Sequence, residues 1–199
     1  MKENYAKLLE KIKEELGYKP DLLLHSCCAP CSSYVIEYLH DYFNITILYY
    51  NPNIFPKEEY DKRKAEQIRF IKEFDNVKFM DCDYDNDIYN KLVKGLENEP
   101  ERGRRCDVCF RLRLDKTAIL GKENQFEYFG TTLTVSPYKN ANIINDIGRD
   151  LELKYNIKWL YSDFKKGNGY KRSIELSKEY NLYRQDYCGC IYSKRKDQE

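Results

Sequence analysis

With 199 residues, 42% of them hydrophobic and 34% charged, the chain has the makeup of a globular protein with one real hydrophobic core. With a net charge of +1, the field of the whole molecule says nothing about nucleic acid, and only local charge can. No apolar run reaches membrane length, and residues 1–15 are charged throughout, unlike a signal peptide. The expectation is therefore a cytoplasmic protein with no membrane contact. Thiols stay reduced in that compartment, so eight cysteines argue for metal or redox chemistry rather than a disulfide scaffold.

Tyr5, Leu8, Leu9, Ile12 and Leu16 recur at helical spacing, and Gly17 and Pro20 end that helix. Leu22-Leu23-Leu24-His25 reads as a short buried strand. Ser32 or Ser33 can cap the next helix, which runs to about Phe43. Ile45 to Tyr50 is a second strand, closed by Asn51-Pro52-Asn53. Lys57 to Phe74 is a long charged helix, and Val77 to Met80 a third strand. Asn86 to Leu96 is helical and Glu97 to Arg105 a charged loop. Helix resumes from Arg111 to Leu120. Glu127 to Thr131 is a fourth strand, the spacing of Ile143, Ile144, Ile147 and Leu151 marks a helix, and Ile157 to Tyr161 is a fifth strand. Ser173 to Tyr180 is the last helix.

Strands alternating with helices predict one α/β domain over residues 1–199, Rossmann-like, with about five parallel strands flanked by helices. Residues 1–20 form an N-terminal helix, and 182–199 a cysteine-bearing C-terminal segment. The expected topology resembles that of the pyrophosphate-loop ATPases, the HUP class. Ligands of such sheets bind at the carboxyl ends of the strands. Strand one runs into Cys27 and Cys28, strand three into Asp81-Cys82-Asp83, and strand four into the segment TTLTVSPYK, residues 131–139. The loop after strand one carries cysteines where an ATPase has glycines, which argues against ATP.

Seven of the eight cysteines fall in three clusters: Cys27, Cys28 and Cys31; Cys106 and Cys109; Cys188 and Cys190. Thiolates this close in sequence bind one ion or cluster, and an iron–sulfur cluster takes about four. Seven suggest one cluster plus a second metal or redox group with about three sulfurs. A zinc site of four cysteines is the alternative, although zinc knuckles usually pair similar hooks and these three differ. Cys82 reads as a lone buried thiol and His40 as structural. Asp81 and Asp83 suit turn capping, and His25 enters the site loop with a proton or hydrogen-bond role open to it. Arg102, Arg104, Arg105, Arg111 and Arg113 bracket the middle pair, while Lys165, Lys166, Lys171 and Arg172 form a second basic stretch. These are solvated faces or contacts to phosphate.

Taken in order, HSCCAPCSS, RRCDVCFRLRL, TTLTVSPYKN and LYRQDYCGCIYS resemble the QueH-type epoxyqueuosine reductases, cobalamin-independent enzymes of queuosine formation in tRNA. The resemblance runs from about Leu22 to Ser193. Cys31 departs from it, since some members carry aspartate there, and either residue can ligate iron.

The resemblance implies removal of the epoxide oxygen of epoxyqueuosine at the wobble position of tRNA, by two electrons from an unidentified donor. It implies a 4Fe–4S cluster on Cys27, Cys28, Cys106 and Cys109. Cys188 and Cys190 are then a redox pair or, with Cys31, the ligands of a second, mononuclear iron. Arg104, Arg105, Lys139, Lys165 and Lys166 would hold the RNA. A zinc-stapled RNA-binding module and a tRNA sulfur-transfer enzyme are the readings from other classes.

Overall fold

Leu22, Leu23 and Leu24 are all fully buried, as expected of the middle strand of a sheet covered on both faces. The computed structural model describes residues 3–194. In it β1 (Asp21–His25) lies at the centre of a five-stranded sheet, with β2 (Asn44–Leu48) and β3 (Lys78–Met80) to one side. On the other side lie β4 (Tyr128–Thr131) and β5 (Lys158–Trp159), giving the order β3-β2-β1-β4-β5. Every pairing is parallel. The Rossmann-like α/β class expected from the alternation is the class observed.

Helices α1 (Tyr5–Glu15), α2 (Ala29–Leu39), α3 (Lys57–Ile71), α4 (Asn86–Leu92), α5 (Arg104–Glu123), α6 (Ala141–Tyr155) and α7 (Gly169–Glu179) surround the sheet. Side chains alternate faces along a strand. Leu22 and Leu24 therefore join the core built by α2, with Val35, Ile36 and Leu39, whereas Leu23 packs toward Leu112 and Leu120 of α5. Among the described residues no helix is long and apolar enough to cross a membrane.

Of the boundaries that differ from expectation, two shape the site. Helix α2 begins at Ala29, not after Ser32 or Ser33, because Pro30 falls in the first turn, where its fixed φ and missing N–H suit a helix start. Cys28 is the N-cap residue, with extended backbone. The two serines are inside the helix, where their hydroxyls donate to Ala29 O at 3.1 Å and Pro30 O at 3.0 Å. Helix α5 begins at Arg104, so Cys106 and Cys109 lie in its opening turns rather than before it. Strand β5 has two residues, with Leu160 N still bonded to Phe129 O at 2.9 Å.

The chain winds outward from β1 to β3, then returns to place β4 on the opposite side of β1. This reversal opens a crevice beyond the carboxyl ends of β1 and β4, the place where ligands of such sheets bind. The far edge depends on Trp159, which is buried, donates from Nε1 to Asn145 Oδ1 at 3.0 Å, and lies flat against Gly148 of α6. A Cβ at position 148 would overlap the indole. Gly148→Ala should therefore destabilise the fold by about 1–3 kcal/mol through overpacking, measured as a lower denaturant midpoint at unchanged slope.

Candidate metal centre

Starting α2 at Ala29 gathers the first three cysteines. Cys27 and Cys28 leave β1 together, and Cys31, whose N–H bonds to Cys28 O at 3.1 Å, sits one turn above Cys28. The three sulfurs lie within 4.8 Å of one another, and Cys27 Sγ is 3.8 Å from Cys28 Sγ. One tetrahedral ion holding sulfur at about 2.3 Å sets its ligands about 3.8 Å apart. The trio therefore has the spacing of ligands to a single ion.

Its protonation agrees. Bonds from Cys28 and Cys31 hold the Cys27 thiol well below its ordinary pKa despite burial, with Lys139 and Arg113 assisting. Sharing of protons with Cys27 pushes Cys28 up to about 12 and Cys31 well above its ordinary value. Of the three thiols Cys27 is therefore the first to give up its proton. Full deprotonation needs the charge of a bound metal. Gln185 Nε2 donates to Cys28 Sγ at 2.9 Å, while its Oε1 is buried without a partner among the described residues.

The other four clustered cysteines meet around a second, adjoining cavity. Cys106 and Cys109 are three residues apart in α5 and so share a face. The C-terminal hook closes over them from the opposite wall, and Cys106, Cys109, Cys188 and Cys190 line one largely apolar cavity with Tyr89 and Phe110. Gly189 takes φ +105° in the hook. A Cβ there would stand 2.8 Å from Ile54 and 3.0 Å from Arg63. The hook is held by buried Arg63, which donates to Cys188 O and Tyr187 O at 3.3 Å each and pairs with Glu59 at 2.6 Å. Gly189 O accepts from Phe55 N at 2.9 Å. Burial pushes the Cys109 thiol up to about 12 and raises Cys106 as well. Two hydrogen bonds reach these sulfurs: Arg102 N donates to Cys106 at 3.3 Å, and Tyr89 Oη pairs with Cys190 Sγ at 2.9 Å.

Arg113 and Lys139 line both cavities. Burial opposes the charge of each, but the sulfurs outweigh it. Cys109, Cys188 and Cys27 raise the Arg113 pKa, and Cys188, Cys27 and Cys31 raise that of Lys139. Arg113 donates from Nε to Cys109 O at 3.2 Å, and its Nη2 has no partner among the described residues.

The structure thus brings Cys31 to Cys27 and Cys28, and sets Cys188 and Cys190 with Cys106 and Cys109. The ligand set that the resemblance implies, Cys27, Cys28, Cys106 and Cys109, draws on both groups, and Cys188 borders both cavities. Among the described residues no other three candidate ligand atoms come within 4.8 Å of one another, and Cys31 and Cys188 line one cleft.

The remaining expectations separate by burial. Arg105 is buried and donates to Leu96 O, Glu97 O and Glu99 O at 3.1, 3.0 and 2.6 Å, so it braces the preceding loop and is not free for a phosphate. Arg104 and Lys166 are exposed, and Lys165 pairs with Asp163 at 2.6 Å. Lys139, Lys165 and Lys166 share one shallow hollow. Burial and Arg113 push the His25 imidazole down to about 3. It is neutral, donating from Nε2 to Tyr50 O at 3.1 Å and accepting at Nδ1 from Thr131 Oγ1 at 2.9 Å, and so ties together the ends of three strand segments. Cys82 is half-buried beside Met80 and Tyr50, outside both cavities, and Asp81 pairs with Lys64. Gln185, Tyr89 and Arg63 went unnoticed in the sequence. Only Gln185, within the C-terminal motif, carried any signal there.

A parallel α/β domain with thiol clusters converging at its switch point defines a protein with a cysteine-built candidate metal site. The family model described as "Epoxyqueuosine reductase QueH" matches residues 22–196. Proteins of that name from Streptococcus pyogenes serotype M1 and Staphylococcus epidermidis are each 46% identical to this chain. The alignments cover 96% and 97% of it, and 78% and 85% of those proteins. One from Thermotoga maritima is 36% identical over 86% of the chain and 89% of its own length. The chain belongs to the QueH family of epoxyqueuosine reductases.

Because Gly189 alone permits the sharp turn of the hook, Gly189→Ala should move Cys188 and Cys190. Metal bound per chain should fall severalfold after anaerobic reconstitution, while the far-ultraviolet circular dichroism stays unchanged.

Proposed function

We propose that the chain reduces the epoxide of epoxyqueuosine in tRNA, with Cys106, Cys109, Cys188 and Cys190 holding a 4Fe–4S cluster and Cys27, Cys28 and Cys31 a single iron. Family membership makes it an oxidoreductase of queuosine biosynthesis. The observation that carries the assignment of ligands is the 3.8 Å separation of Cys27 and Cys28 within a compact trio, beside a distinct cavity lined by four more cysteines. Three sulfurs leave one position of a tetrahedral ion for substrate.

The reaction breaks both C–O bonds of the epoxide and leaves a cyclopentene. The oxygen departs as water, taking two protons, and an external donor supplies two electrons. Bound in these sites, the cluster supplies electrons singly and the iron acts as a Lewis acid toward the epoxide oxygen. The protein's own part is electrostatic. Lys139 keeps its charge and lines the cleft, where positive charge favours the oxygen that becomes negative as the ring opens. Arg113 holds a fixed positive charge between the two sulfur groups. Gln185 fixes Cys28 through one arm of its amide and offers Oε1 as an acceptor.

A base inside a structured loop must be splayed out to reach a buried site, and aromatic faces stabilise it. Tyr138 is 57% exposed where the two cavities adjoin, with the Arg102 guanidinium 5.4 Å from its ring centre. Exposed Arg104 and Lys166, with Lys139 and Lys165, suit the flanking phosphates. Arg105 takes no part.

An anaerobic iron and sulfide count tests the assignment. Wild type should hold about five irons and four sulfides. Cys109→Ser should lose the cluster absorbance, whereas Cys27→Ser should keep it, lose about one iron and form no queuosine. A Cys27→Ser protein without cluster absorbance beside a Cys190→Ser protein with it would restore the other pairing of the hooks. For the RNA, the double variant Arg104→Glu and Lys166→Glu should weaken binding to the anticodon stem-loop and flatten its dependence on salt by about two units of slope. An unchanged slope would make both solvated surface charges.

A further inference from the structure

A single amide ties both ends of the first cysteine loop to α3. Ser26 Oγ donates to Gln67 Oε1 at 2.7 Å, and Ser32 Oγ donates to the same atom at 3.0 Å. Ser26 immediately precedes Cys27, and Ser32 immediately follows Cys31. All three polar side chains are fully buried. Each hydroxyl proton is shared between the amide and a carbonyl of the loop, Cys28 O at 3.3 Å for Ser26 and Ala29 O at 3.1 Å for Ser32. Burying an amide costs free energy that only its hydrogen bonds offset, and Gln67 makes them to the loop. One turn earlier on the same face of α3, buried Arg63 holds the carbonyls of Tyr187 and Cys188. One buried helix face thus grips both the first cysteine loop and the C-terminal segment.

We propose that Gln67 is a positioning residue that holds the loop of Cys27, Cys28 and Cys31 in its metal-binding shape before metal arrives. The inference rests on that loop supplying metal ligands, whichever other cysteines complete the shell. The loop has little of its own to fix it. Cys27 and Cys28 lie between the last residue of β1, His25, and the first of α2, Ala29, outside the regular bonding of either. Their sulfurs are 3.8 Å apart and repel one another once deprotonated. A loop free to open would relieve that repulsion by separating them, and a metal would have to draw them back together. Fixing residues 26 and 32 removes this freedom. Asn51 adds to it from the end of β2, donating from Nδ2 to Ser26 O at 2.8 Å. Partners one step behind metal ligands alter metal affinity by about 10- to 100-fold in other sites. Gln67 acts in that way, through the two serines.

Cobalt(II) is the probe, titrated anaerobically into the full chain. Its thiolate charge-transfer and d–d bands report sulfur ligation and geometry, and the bands lost in Cys27→Ser are those of the loop. Gln67→Met, and the double variant Ser26→Ala with Ser32→Ala, should each weaken cobalt binding at the loop by about tenfold and shift its d–d bands. The far-ultraviolet circular dichroism should stay that of wild type. Both variants break one clamp, so the triple variant should lose no more than either alone. The triple also removes both sides of the network, leaving no hydroxyl facing a missing partner, and so reports on the loop even where Gln67→Met does not fold. Wild-type affinity and bands in the triple, or losses that simply add, would overturn the proposal. The serine double variant changes one oxygen at each position and keeps Gln67, and wild-type behaviour there would overturn it equally. Cys27→Ser is the separate control. Unchanged cobalt bands in that variant would remove the loop from metal binding, and the premise with it, whatever Gln67 does.

Discussion

Buried sulfur carries negative charge only where positive charge lies close by, and Arg113 and Lys139 meet that requirement here. Each borders both groups of cysteines and each is held in its charged form by them. An unpaired buried cation is as costly as an unpaired thiolate. Cations and sulfurs therefore depend on one another, and the crevice is stable as a charged assembly rather than as a collection of separate residues. The same dependence couples metal binding to the local structure. Cys28 and Cys31 hold their protons until a cation displaces them.

The scaffold is built to keep these charges in place. His25 is locked neutral between Thr131 and Tyr50, which fixes the ends of β1 and β4 just beneath the first cysteines. Arg63 reaches from α3 to carbonyls 187 and 188, so a segment distant in sequence is anchored to the same wall. Arg105 braces the loop leading into α5, which carries Cys106 and Cys109. One histidine and two arginines, His25, Arg63 and Arg105, are thus spent on geometry. Buried polar groups of this kind are retained when fully paired and act through the positions they enforce.

Two adjoining sulfur sites answer a need of the proposed chemistry. Removal of an epoxide oxygen takes two electrons together with activation of that oxygen. One site handling both would have to be a good electron carrier and an open Lewis acid at once. The four-cysteine cavity is largely apolar, whereas the trio opens on the polar cleft that carries Gln185 and Lys139. Cys188 and Lys139 border both cavities, so the division leaves the two sites in electrostatic contact.

The strand–helix alternation, the convergence of cysteine segments at strand ends and the family motifs were all legible in the chain, because each is a property of short, contiguous stretches. Apolar periodicity marks strands and helices, and spacing marks a metal hook. Which cysteines come to line which cavity was not legible there. That depended on Pro30 starting α2 early enough to lift Cys31 over Cys28, and on Arg63 carrying Cys188 and Cys190 to the mouth of α5. Charge alone likewise did not distinguish Arg104, left in solvent, from Arg105, folded onto three carbonyls. The sequence by itself determined the kind of domain and the elements of its chemistry. The tertiary structure decided their grouping, because distances between sulfurs far apart in the chain are set by helix starts and buried clamps that no local pattern records.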